Sequence, residues 1–126
     1  MKDLIIEATG NTPKIEFKHN GQLNMDGRSL PEDTKKFYAP VLDWLSSFGS
    51  KEVVFNIKLE YINTSSSKQV LDVMKKVVDN PMVESAVVNW YYEEGDLDGL
   101  ETGEHFATIL KGVKFEFIEY AESEDI

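Results

Sequence analysis

The chain has 126 residues, 41% hydrophobic and 29% charged, the size and balance of one folded domain with a real core. Its formal net charge of −10, from 13 basic against 23 acidic residues, disfavours a nucleic-acid backbone or an anionic membrane surface as partner, and no run of Lys and Arg offers a local exception. Cysteine is absent, which excludes disulfides, thiolate metal sites and cysteine nucleophiles.

The opening MKDLIIEATG puts Asp3 and Glu7 where a signal peptide needs an unbroken apolar stretch, and nothing later reaches membrane-spanning length, so a cytoplasmic protein is expected. After the apolar Leu4 to Ile6, the run Pro13 to Lys18 alternates, with Ile15 and Phe17 against Lys14, Glu16 and Lys18: a half-buried strand. Asn20-Gly21 tolerates the positive φ of a tight hairpin, and Leu23 and Met25 resume the alternation. Ser29 is a candidate cap and Pro31 suits a first helical turn; Phe37, Val41, Trp44, Leu45 and Phe48 then recur at helical spacing, with Pro40 expected to kink or split the helix. From Val53 to Tyr61, the residues Val53, Phe55, Ile57, Leu59 and Tyr61 share one face and Asn56, Lys58 and Glu60 the other.

A second helix follows, with Val70, Leu71, Met74, Val77 and Val78 on its apolar side, and stops at Asn80-Pro81. Glu84 to Glu93 reads as a strand with Ala86, Val88, Trp90 and Tyr92 on one face. A third helix covers about Leu97 to Leu110, with Gly103 as its weak point, and Val113 to Tyr120 closes as a strand. Residues 119–126 read as an acidic tail beyond the fold. The order of hairpin, helix, strand, helix, strand, helix, strand predicts an α/β (α+β) domain over residues 1–126. Its sheet is mixed, opening with an N-terminal hairpin, and its helices lie mainly on one face.

The glycines form neither a GxGxxG nor a GxxxxGK[ST] phosphate loop, no GxSxG elbow is present, and neither His19 nor His105 sits in an HExxH spacing. No cofactor is expected. The densest set of possible metal ligands is Glu93, Glu94, Asp96, Asp98, Glu101, Glu104 and His105; an EF-hand register is missing, and the simpler reading makes Asp96 or Asp98 the cap of the third helix. Trp90-Tyr91-Tyr92 reads as sheet packing in preference to a base-stacking platform.

The stretch YINTSSSK, from Tyr61 to Lys68, holds four consecutive hydroxyl side chains where a strand gives way to a helix. Ser66 with Gln69 matches a capping box, which leaves Thr64, Ser65 and Ser67 as surplus. Serine and threonine are frequent in any loop; the functional alternative is a phosphoacceptor, since a phosphate at a helix N-terminus meets free N–H groups and the positive dipole end.

With these residues in order, the sequence resembles the SiaC family of bacterial regulatory phosphoproteins. The resemblance is carried by Tyr61, Asn63, Thr64, Ser65 and Ser66, by Trp90 to Asp96 with Asp98, and by Glu101, Gly103 and Glu104. Thr12, Pro13 and Ile15 and the Asp43-Trp44-Leu45 triplet extend it over nearly the whole chain. It implies a fold similar to the anti-sigma factor antagonist (STAS) domain, acting without catalysis in a partner switch. The phosphorylated threonine would be Thr64, with Ser65 as the alternative acceptor and Asn63, Ser65, Ser66 and Lys68 beside it. Apart from the resemblance, if the strands ending at Tyr61 and Glu93 are parallel neighbours, Thr64 and the acidic loop Glu93 to Asp98, with Asp96 and Asp98, emerge at the same sheet edge. The implied partners are a protein kinase, a PP2C-type phosphatase and, for the unphosphorylated form, a diguanylate cyclase. Two other classes compete: a small metal-assisted hydrolase using Glu94, Asp96, Asp98 and His105, and a purely structural assembly domain.

Overall fold

The computed structural model describes residues 2–121. The elements run β1 (Leu4–Ile6), β2 (Lys14–Phe17), β3 (Gln22–Ser29), α1 (Thr34–Ser46), β4 (Glu52–Ile62), α2 (Thr64–Val78), β5 (Ser85–Glu93), α3 (Leu97–Ile109) and β6 (Lys114–Tyr120). Six strands form one sheet in sequence order; β2 pairs antiparallel with both β1 and β3, and β3 through β6 are parallel. The expected mixed sheet is present, with β1 added to the hairpin as an edge strand.

The hairpin turns where Asn20-Gly21 predicted. Gly21 has φ 101°, and a side chain there would collide with the Glu52 carbonyl oxygen, 2.1 Å from an ideal Cβ. That close approach lets the Val54 N–H reach the Gly21 carbonyl at 2.9 Å, so the turn also seats the start of β4.

One face of the sheet carries Ile15, Phe17, Leu23, Met25, Val53, Phe55, Ile57, Val88 and Trp90, all buried, and the three helices cover it with Tyr38, Val41, Leu45, Val70, Val73, Met74, Val77 and Phe106. The other face is polar. Asn24, Asn56 and Asn89 stand level on β3, β4 and β5; the Asn56 amide donates to Asn24 Oδ1 and that of Asn89 to Asn56 Oδ1, both at 2.8 Å. Period-2 alternation therefore separates a dry face from a wetted one, as parallel strands covered on one side require.

Several local expectations are revised. Asp33, not Ser29, caps α1 by accepting the Lys36 N–H at 3.1 Å. Ser29 ends β3, fully buried, and shares a hydrogen bond with the Tyr38 hydroxyl. Burial pushes the Tyr38 phenol up to about 12, against the opposing pull of Ser29. Pro40 does not split α1, which runs through it from Thr34 to Ser46; the ring lies on the exposed side and the helix loses one backbone donor. Glu119 and Tyr120, read as the start of the tail, pair with Tyr92 and Glu93 in the sheet. Residues 122–126 lie outside the described residues.

Gly103 is not a weak point. An alanine Cβ at 103 would fall 2.6 Å from Trp90 Cδ1 and Nε1, so glycine is what lets α3 lie against the indole. Tyr61 also departs from its predicted face. The β3–β4 register shifts between Gly27 and Arg28, pairing Gly27 with Leu59 and Arg28 with Tyr61, so Glu60 is the extra residue of a bulge. Tyr61 consequently faces solvent, 55% exposed.

Candidate functional site

The C-terminal ends of β3, β4 and β5 form one rim of the sheet, because these strands are parallel neighbours. Helices α2 and α3 begin there. Asn63 is the cap of α2: its backbone is extended, its side-chain oxygen accepts the Ser66 N–H at 2.8 Å, and its carbonyl accepts the Ser67 N–H at 2.9 Å. The Asn63 N–H in turn donates to the Ser29 carbonyl at 3.4 Å, tying the cap to β3.

The predicted capping box of Ser66 and Gln69 is therefore absent. Helix α2 begins three residues earlier than that box requires, because Asn63 supplies the acceptor first. Ser66 then occupies the third helical position, on the side of Val70, Val73 and Val77, fully buried and with no hydrogen-bond partner for its Oγ among the described residues. Gln69 is buried beside it, 8% exposed.

Thr64 is the first helical residue and is exposed, as is Ser65, whose hydroxyl donates to Asn63 Oδ1 at 3.3 Å. Ser65 is thereby engaged with the cap, while Thr64 is left out of the capping bonds. Lys68, one turn on, is exposed. The first-turn N–H groups of an α-helix carry partial positive charge and lack intrahelical acceptors, so an anion added at Thr64 would meet a favourable field.

The predicted neighbourhood of Thr64 and the acidic loop is real at the level of the sheet: both follow parallel, adjacent strands. Between the ends of β4 and β5 and the start of α3 lies a cleft of ≈ 370 Å³, lined among others by Tyr61, Tyr91, Glu93, Asp96 and Asp98. Thr64 is not among its lining residues. Of the two candidate caps of α3 it is Asp96 that serves, accepting the Gly99 N–H at 3.0 Å, and Asp98 lies in the first turn. The turn into α3 needs Gly95, whose φ is 87°, between the Glu93 carbonyl and the Asp96 N–H that donates to it at 2.9 Å. Trp90 forms the floor, donating from Nε1 to the Gly99 carbonyl at 3.0 Å and packing edge-on against Phe106. This buried indole bears out the packing reading for Trp90, while Tyr91 is only partly buried and lines the cleft.

Glu94, Asp96, Asp98 and His105 are not assembled into a centre. Among the described residues no three or more His, Asp or Glu side chains converge in a metal-holding group; Asp96 is committed to its cap, and the exposed His105 ring lies beside Phe106. His19, also exposed, is held by Asp3 Oδ1, which accepts its backbone N–H at 3.0 Å and lies 2.6 Å from Nδ1. These bonds from His19, the backbone one foremost, hold the Asp3 carboxyl below its usual range. Among the described residues, no helix is long and apolar enough to cross a membrane.

One feature of the rim escaped the sequence: Arg28 lies over the Tyr61 ring, 5.0 Å from its centroid, with its Nε 3.7 Å from Glu60. The bulge that creates this stack leaves no mark in the alternation pattern.

One mixed α/β domain thus gathers a capped helix start, an exposed threonine and a carboxylate-lined cleft on one rim. Residues 6–120 match the SiaC family regulatory phosphoprotein, and the chain belongs to that family. It is 31% identical over 111 residues to an uncharacterised protein of Pseudomonas aeruginosa strain UCBPP-PA14, a match covering 84% of this chain and 88% of that one. A chain in the crystal structure of the P. aeruginosa diguanylate cyclase SiaD in complex with its activator SiaC superposes with a TM-score of 0.79 at 26% identity, covering 94% of this chain and 100% of that one. Apo-SiaC from the same organism gives 0.79 at 28% identity, over 94% and 99%.

Proposed function

We propose that this chain is a non-catalytic signalling protein of a partner switch, marked on Thr64. A cognate kinase transfers a phosphoryl group from a nucleoside triphosphate to Thr64 Oγ1, whose proton is released, and a PP2C-type phosphatase hydrolyses the ester to reset the switch. The unphosphorylated form binds and regulates a downstream protein, a diguanylate cyclase being the class that the SiaD–SiaC complex supports. The observation that carries the reading is the position of Thr64: exposed, first in its helix, and left out of the capping bonds because Asn63 supplies them. Phosphate there adds about 1.5 to 2 negative charges without disturbing the core, which suits a switch that changes an interface and keeps the fold.

Ser65 fits the acceptor role less well, because its hydroxyl is tied to Asn63. Asp96 and Asp98 support the switch by setting a negative potential at the same rim, so that phosphorylation widens the difference between the two states. The test compares capture of a candidate cyclase by wild type, Thr64→Ala and Thr64→Glu, with intact mass measured after co-expression with a candidate kinase. Phosphate incorporation that Thr64→Ala abolishes, together with weakened capture by Thr64→Glu, is the expected result. Equal capture by all three without phosphate incorporation would sink the reading.

A further inference from the structure

Resting on the phosphorylation of Thr64 proposed above, we infer that Arg28 is the intramolecular reader of that phosphate, and that pairing with it draws the guanidinium off Tyr61 and Glu60. Arg28 is the only arginine in the chain, and it stands on β3, paired with the strand that leads into the switch helix. Arg28 pairs with Tyr61 and Ser29 with Ile62 across β3 and β4; the next bond along is the one from the Asn63 N–H to the Ser29 carbonyl, at 3.4 Å. Thr64 follows immediately. From Tyr61 the chain takes three residues to reach Thr64, a span of at most about 10 Å even fully extended, and less once the helix begins. A long guanidinium side chain on one side and a phosphothreonine on the other bridge such a gap.

The present contacts of Arg28 hold it weakly. The Glu60 contact is a single Nε approach at 3.7 Å between side chains 52% and 41% exposed, and the Tyr61 stack is open to solvent. Exposed pairs of this kind contribute little, whereas guanidinium and phosphate meet in a bidentate, charge-assisted geometry that is far stronger. A phosphate at Thr64 therefore outcompetes Glu60, and the released Tyr61 and Glu60 are both residues that line the cleft. Through Arg28, a modification outside the cleft changes the cleft wall. Other charged groups at this end are Asp26 on β3, Lys58 on β4, Glu32 and Asp33 ahead of α1, Lys68 in α2, Glu93 at the end of β5, and Glu94, Asp96 and Asp98 from there into α3. Lys58 lies over the Tyr120 ring at 4.3 Å, which makes Lys68 the rival cation.

The experiment uses full-length protein with phosphothreonine installed at position 64 by genetic encoding or ligation, so that it does not depend on any kinase. The ³¹P resonance is titrated at low ionic strength in the wild type and in Arg28→Gln, Arg28→Lys and Lys68→Gln, with the Tyr61 ring signals followed in parallel. The helix terminus acts on the phosphate in all four proteins, so the difference between them isolates the side chains. Pairing with Arg28 should place the second phosphate ionisation at least about 0.5 pH unit lower in the wild type than in Arg28→Gln. Arg28→Lys should keep part of that shift and Lys68→Gln most of it, and phosphorylation should move the Tyr61 ring signals only where Arg28 is present. Identical titration of wild type and Arg28→Gln, or loss of the shift in Lys68→Gln, overturns the inference. A chain that no kinase modifies at Thr64 defeats the proposed function instead, and the two failures are read separately.

Discussion

Gly103→Ala is the sharpest test of how α3 meets the sheet. In an ordinary helix interior this exchange stabilises by about 1 kcal/mol, through the lower backbone entropy of alanine. Here the added Cβ would sit 2.6 Å from Trp90 Cδ1 and Nε1 and 2.8 Å from Cε2. Carbon atoms in favourable contact are about 3.5–4.0 Å apart, so ring or helix must retreat by about 1 Å. The ring has nowhere to go: Trp90 is 3% exposed, with Phe106 edge-on at 5.6 Å and Phe115 at 6.4 Å, and its N–H is held by the Gly99 carbonyl. If the helix moves instead, the same N–H bond stretches and a void opens beside Phe106. Overpacking costs about 1–3 kcal/mol and the weakened hydrogen bond about 1 more, which together outweigh the propensity gain. A net loss of about 1–3 kcal/mol is expected, lowering Tm by roughly 3–5 °C for each kcal/mol in a domain of this size. Urea unfolding followed by circular dichroism and tryptophan emission measures it. A variant that unfolds at the same or higher urea concentration than wild type, with an unchanged slope, would refute the reasoning.

Asn63→Ala should cost about 1 kcal/mol by removing the cap of α2, whereas Ser66→Ala, which deletes a buried hydroxyl lacking a partner, should be neutral or stabilising; a capping box at Ser66 would reverse that order in thermal melts. Tyr38→Phe should cost about 1–3 kcal/mol, since it strands the buried Ser29 hydroxyl. Tyr38 itself should ionise well above the ordinary phenol range when absorbance near the phenolate band is followed with rising pH. Because its folded value is raised from 10 to about 12, its contribution to stability is complete below pH 10 and is lost as pH climbs through that interval; a full-amplitude phenolate signal from folded protein at pH 10 would contradict the burial. Replacing Asp96 and Asp98 together by Asn, which keeps a capping side chain at 96, should narrow the gap in partner affinity between phosphorylated and plain forms; titration calorimetry on both forms checks it, and an unchanged gap counts against the acidic rim.

The architecture was legible because alternation and helical spacing are long-range signals that single residues cannot disguise. Asn20-Gly21 marked its turn, and the run Val53 to Ile57 marked the central strand. Strand β1 was harder, since three residues acquire their identity only by pairing with Ile15, Glu16 and Phe17. The helix starts show the limit of local rules. Ser29 and Asp33 compete for α1, as Asn63 and Ser66 do for α2, and each polar residue satisfies the same chemistry on paper. Tertiary structure decides: Ser29 and Ser66 are drawn into the core, and the residues outside it do the capping. The cap of α3 could be narrowed in advance to Asp96 or Asp98 because strand-to-helix junctions carry readable acids, whereas Thr64 was singled out from the surplus hydroxyls by the family resemblance. The stack of Arg28 on Tyr61 could not, because it depends on a one-residue bulge that moves Tyr61 to the opposite face. Gly103 looked like a defect for a related reason, as a missing side chain announces nothing about the ring that fills its place.

The amides of Asn24, Asn56 and Asn89 bear on a problem of assembly. Parallel strands are joined here through whole helices, so no tight turn dictates how far one strand slides past the next. A slip of one residue would turn the apolar set to water and is self-punishing, but a slip of two keeps every apolar side chain inward and escapes that penalty. The amides close this loophole. Asn89 donates to Asn56 and Asn56 to Asn24, and displacement of β5 by two positions would set Asn89 against Val54 or Lys58, neither of which has an acceptor side chain. A row of three uncharged residues on the wetted face thus keeps the strand ends level, and with them the rim on which Thr64 and the cleft stand side by side.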